Sequence, residues 1–169
     1  MQNATLDFFE ILQTLKRHKV DFIIVGGVCA VLHGAPVSTF DLDIVHSRSE
    51  DNLTRLKEAL EDLDAYFRTR RDKRFIPDIT HLASPGHQLL MTRFGPLDLL
   101  GAVGDGKSYE DLIEQTSKEN LENISVYLLN LETLINIKEK IGREKDNAVL
   151  PILRSTLEEK KKHDEHGDE

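Results

Sequence analysis

The 169-residue sequence is poor in sulfur. Its one cysteine, Cys29, excludes an intramolecular disulfide and any multi-cysteine metal centre, and a reducing, cytoplasmic setting is expected. No apolar run approaches the roughly 18 residues of a membrane span, so no membrane association is expected. The first residues, MQNATLDFFEILQTLKRHK, mix apolar and charged side chains without the apolar stretch of a signal peptide. Positive charge is not in excess. A net charge of -8 argues against a surface that grips nucleic acid along its whole extent, although a local basic patch stays compatible with it. The seven histidines lack zinc-site spacing, with His33, His46, His81 and His87 scattered and His163 and His166 in a charged tail. No internal repeat is visible. What remains is 39% hydrophobic and 31% charged residues, the composition of a globular chain of one-domain length. A single domain over 1–160 is expected, followed by a disordered charged tail at 161–169.

Apolar spacing predicts a helix in LDFFEILQTLKRHKV, with Leu6, Phe9, Leu12 and Leu15 near one face. DFIIV reads as a strand stopped by Gly26 and Gly27, and VCAVLHGA as a brief helix ended by Gly34. DLDIV is a second strand, with Phe40 counted in its apolar set. SEDNLTRLKEALEDLD is the clearest helix: Ser49 caps it, acids fill its first turn, and Leu53, Leu56, Leu60 and Leu63 form its stripe. Residues 65–100 read as strands, with the last two joined at Gly95-Pro96; GAVGDGKS is a loop, ISVYLL a strand, and the rest helical. Strands alternating with helices, and helices gathered at the C-terminal end, give an α/β (α+β) domain.

Within this pattern the acids stand out. Asp41 and Asp43 share one face of an otherwise apolar strand, roughly 6–7 Å apart, where burial and mutual repulsion raise their pKa values unless a cation compensates. Asp98, in GPLDLL, has the same character, and reads either as a third strand acid or as a turn acid after Gly-Pro. If its strand neighbours DLDIV, the three acids form a cluster that divalent cations would neutralise. Gly26-Gly27, at a strand-to-helix handover, is either an ordinary tight turn or a place where backbone N–H groups meet a phosphate.

Together GGVCAVLHGAPVSTFDLDIV and the later Asp98 resemble the signature of the DNA polymerase β-like nucleotidyltransferase superfamily. LNLETLINIKEKIGREKDNAVLPIL is similar to the helical region of its small bacterial and archaeal AbiEii-like group. The resemblance spans about residues 20–155. It implies the nucleotidyltransferase fold, a small mixed β-sheet flanked by helices with a C-terminal helical segment. It also implies an Mg2+- or Mn2+-dependent transfer of NMP from an NTP to a hydroxyl of a protein, an RNA end or a small molecule, with release of pyrophosphate. Asp41, Asp43 and Asp98 would be the catalytic metal ligands, with Gly26, Gly27 and Thr39 at the triphosphate and Lys138 and Asp146 facing the nucleotide. The alternative is a non-catalytic nucleotide-binding module or toxin–antitoxin component, and a protein partner or homodimer is expected to help recognise the acceptor. Where the family pattern has an arginine four residues before the first aspartate this chain has Val37, and where some relatives have a later acid it has Ala148 and Val149.

Lys138 falls inside the apolar arc of Leu131, Leu134, Ile135, Ile137 and Ile141, so it either meets an anionic partner or snorkels to water. Arg143, Lys145 and Asp146 read as a solvated link, and Pro151 either kinks the last helix or begins it. RTRRDKR, residues 68–74, holds five basic residues in seven; a solvated edge is the preferred reading over contact with triphosphate or RNA. Cys29 is expected in the core, although a helix N-terminus can lower a thiol pKa.

Overall fold

The computed structural model describes residues 6–69 and 74–167. Helix α1, Phe8–Arg17, starts at Asp7, whose carboxylate accepts from the Glu10 N–H, and buries Ile11, Leu12 and Leu15. It leads to strand β1, Phe22–Val25, whose four residues are all buried, as expected of a central strand covered on both faces. Helix α2, Gly26–Leu32, follows with no gap, so both glycines form its first turn rather than a loop before it. Strand β2, Leu42–His46, comes next, then helix α3, Glu50–Asp62, capped by Ser49 as expected, with Leu53, Leu56 and Leu60 buried.

The stretch after α3 departs from the expectation of strands alone. Among the described residues of this stretch Tyr66–Phe67 pairs as β3, and Ile79–Ala83 forms helix α4, held by a reciprocal cap between Asp78 and His81. Strands β4, His87–Thr92, and β5, Gly95–Leu100, turn at Arg93-Phe94 rather than at Gly95-Pro96. A short helix α5, Tyr109–Leu112, precedes β6, Thr116–Leu121, and β7, Ile124–Leu129. β6 has almost no apolar residues, being an exposed edge strand, and period-2 hydrophobicity could not reveal it. Helices α6, Leu131–Ile141, and α7, Glu144–His166, complete the fold, joined at Gly142 in the left-handed conformation. Pro151 lies inside α7 and neither starts nor ends it, and residues 161–166 are exposed turns of the same helix.

Among the described residues seven strands make one mixed sheet in the order β3-β4-β5-β2-β1-β7-β6. β2 runs antiparallel to β1 and parallel to β5, and β7 runs parallel to β1. The core joins the inner strands to Ile11, Leu12, Leu15 and Leu56 on the helices, Leu63 just after α3, and Leu134, Ile135 and Leu153 at the C-terminal end. Phe40 is not part of it: it precedes β2 and is 82% exposed. Ile141, counted in the apolar arc of α6, is also exposed. No helix among the described residues is long and apolar enough to cross a membrane.

Candidate active site

Strand pairing brings the acids together. In the parallel pair β2/β5 the register sets Asp43 directly opposite Asp98, and neighbouring strands lie about 4.8 Å apart. Asp41, two residues before Asp43 and just ahead of β2, shares that side. One carboxylate oxygen from each of the three lies within 4.8 Å of the others. Asp98 is 7% exposed and stands in the middle of β5, which removes the turn-acid reading.

Burial is the main cause that raises the Asp43 carboxyl pKa, up to about 8, with Asp41 and Asp98 adding to it and Lys138 opposing. Asp41 is raised by burial first and then by Asp98, against the opposing charges of Arg68 and Lys145. Crowded carboxylates of this kind lower their free energy by sharing a proton or taking a cation. Three hard oxygen donors at this spacing fit a divalent ion such as Mg2+ or Mn2+.

The glycines are bound to this geometry. Gly26 has φ +68°, and a Cβ there would overlap the Asp43 carboxylate; a Cβ on Gly27 would stand 2.5 Å from Thr39 Oγ1. Side-chain-free backbone is therefore needed for α2 to begin against the cluster. Thr39 turns its hydroxyl inward, donating to the Asp41 carbonyl at 3.0 Å, and so braces the loop that carries Asp41. Val37 packs against the core.

On the helical side, Lys138 Nζ meets Asp146 Oδ1 at 3.1 Å, and Arg143 Nε meets Asp146 Oδ2 at 3.1 Å. Asp146 is 5% exposed, which corrects the expectation of a solvated link: the apolar-arc lysine and the buried acid are partners. Lys138 is also close enough to act on Asp43 electrostatically.

Arg68 is the residue that sequence reasoning missed. Its Nη1 donates to Asp98 Oδ1 at 2.5 Å and to the Leu90 carbonyl at 3.0 Å, and its Nη2 stands 3.9 Å from Asp41 Oδ2. The solvated-edge reading of RTRRDKR thus fails at its first member. Arg74 does pair with Asp64 at the surface, and residues 70–73 lie outside those described. The available signal was its place directly after Tyr66-Phe67, at the end of a strand, in a chain whose three clustered acids need a cation. Cys29 is buried, donates to the Leu129 carbonyl at 3.2 Å, and has its pKa pushed up to about 12 by burial. That overrides any lowering by the α2 N-terminus and makes it a core thiol.

No family model and no curated protein matches the chain. Solved structures do. The candidate nucleotidyltransferase TM1012 of Thermotoga maritima is similar over 93% of this chain and 98% of its own, with a TM-score of 0.56 and 17% identity. LnuA, a lincosamide antibiotic adenylyltransferase solved with lincomycin bound, is similar over 91% of this chain and 99% of its own, with a TM-score of 0.61 and 15% identity. The likeness is one of fold, and the fold is that of the nucleotidyltransferases.

Proposed function

We propose that this chain is a divalent-cation-dependent nucleotidyltransferase that moves NMP from an NTP to the hydroxyl of an acceptor, releasing pyrophosphate. The observation that carries the reading is the meeting of Asp41, Asp43 and Asp98 beside the glycine-floored start of α2, in a fold shared with an adenylyltransferase. The three carboxylates would hold the cation, which supplies charge neutralisation at the phosphates and acidifies a bound hydroxyl. Gly26 and Gly27 let phosphate oxygens approach the α2 backbone. Asp98 accepts the proton of the acceptor hydroxyl as its oxygen bonds to the α-phosphorus, and the bond from that phosphorus to the bridging oxygen of pyrophosphate breaks. Lys138, held by Asp146, supplies a fixed positive charge on the nucleotide side. The likeness to LnuA, an adenylyltransferase of lincosamide antibiotics, favours ATP as donor and a small hydroxylated molecule among the acceptor classes. A cytoplasmic location and a partner or second copy that completes acceptor recognition belong to the same reading.

Incubation of the protein with each α-32P-labelled NTP, Mg2+ or Mn2+ and a fractionated cell extract should label one fraction. Asp41→Asn and Asp98→Asn should abolish that labelling; equal labelling by the variants rejects the proposed chemistry. Val37, in place of the arginine that the resemblance implies, favours a second reading, a nucleotide-binding module without transfer. Cation-dependent NTP binding with no labelled product in any fraction would support it.

A further inference from the structure

Among the described residues, Arg68 is ion-paired with two of the three acids, Asp98 and Asp41. The residue is anchored twice to β4, by its backbone N–H on the Leu89 carbonyl at 3.2 Å and by its guanidinium Nη1 on the Leu90 carbonyl at 3.0 Å. Its side chain keeps 26% of its surface open to solvent while its Asp98 partner keeps 10%. Both terminal nitrogens face the acids, while part of the side chain stays open to solvent. An ion of Mg2+ type binds carboxylate oxygen at about 2.0–2.1 Å. The oxygen it would take, Asp98 Oδ1, already accepts from Arg68 Nη1. Cation and guanidinium compete for it.

We propose that Arg68 is the resident counter-ion of the cluster: a divalent cation displaces it from Asp98, and the displaced fork takes an oxygen of the nucleotide's phosphates. This rests on the reading of the three acids as a cation site. A planar fork with several donors suits a phosphate as well as a carboxylate, so one short swing exchanges one anion for the other. Cation loading and phosphate capture become a single exchange, and the cluster binds metal weakly until nucleotide arrives.

The test is Mn2+ titration of the intact chain, following free Mn2+ by EPR, for wild type, Arg68→Gln, Arg68→Lys and Asp98→Asn. Without nucleotide, Arg68→Gln should bind Mn2+ about tenfold more tightly than wild type, the low end of what one adjacent opposing charge does to a carboxylate. Arg68→Lys should stay near wild type, and Asp98→Asn should lose binding. At saturating Mn2+, calorimetry with ATP should show about tenfold weaker nucleotide binding by Arg68→Gln. Gain for metal with loss for nucleotide cannot come from a damaged fold. Mn2+ binding that is unchanged or weakened in Arg68→Gln, yet lost in Asp98→Asn, overturns the role of Arg68 and leaves the site standing. Unchanged ATP affinity overturns the phosphate exchange. Failure of every protein to bind Mn2+, with or without ATP, overturns the cation site itself.

Discussion

Gly26 shows how little slack the site has. Its left-handed backbone and its position flush against the Asp43 carboxylate disfavour any side chain. Gly26→Ala should cost about 1–2 kcal/mol from backbone conformation alone, with more from the overlap, read as a lowered urea midpoint. Asp43 gives a pH signature. Its pKa is raised in the folded state to about 8 from an unfolded value near 3.8, so the native state binds the extra proton and stability falls as pH rises between those values. In the absence of divalent ions, urea melts at pH 5 should therefore exceed those at pH 8 by up to a few kcal/mol. Asp43→Asn should flatten the difference, and Mg2+ should raise stability more at pH 8 than at pH 5. The acids were legible because a carboxylate in an apolar strand breaks its own pattern. Arg68 was not, since a run of like charges looks the same whether its first member turns inward or out, and only the fold of β3 against β4 decides that.

Among elements, the joint between α6 and α7 depends on one buried acid. Asp146 accepts from Lys138 on α6 and from Arg143 in the linker, so its loss leaves the half-buried Lys138 ammonium uncompensated. Asp146→Ala should destabilise the chain by about 3 kcal/mol in a urea titration, while Arg154→Ala, which breaks an exposed pair with Glu139, should change it by less than about 1 kcal/mol. The lysine half of this bond was visible as a cation on an apolar stripe. The aspartate half was hidden, because a short charged link carries no periodicity. For the same reason the long amphipathic α3 was readable from Ser49 onward, whereas the two-residue β3, the five-residue α4 and the polar edge β6 owe their existence to neighbours rather than to their own residues.

For the whole molecule, the sheet grades outward from a dry centre to wet edges. Amide exchange should be slowest in β1, β2 and β5 and fastest in β3 and β6, as mass spectrometry of native-state exchange would report. Exchange as slow in β6 as in β1 would contradict this topology. The mixed α/β class followed from the alternation of elements, but the strand order did not, since nothing in β5 itself declares that it pairs with β2 rather than at an edge. That pairing has a further consequence. Asp98 meets Asp43 only once two distant segments have zipped side by side at the middle of the sheet, so the unfolded chain has no equivalent grip on Mn2+. Capture of the ion during refolding would then act as a stopwatch for the moment the sheet closes.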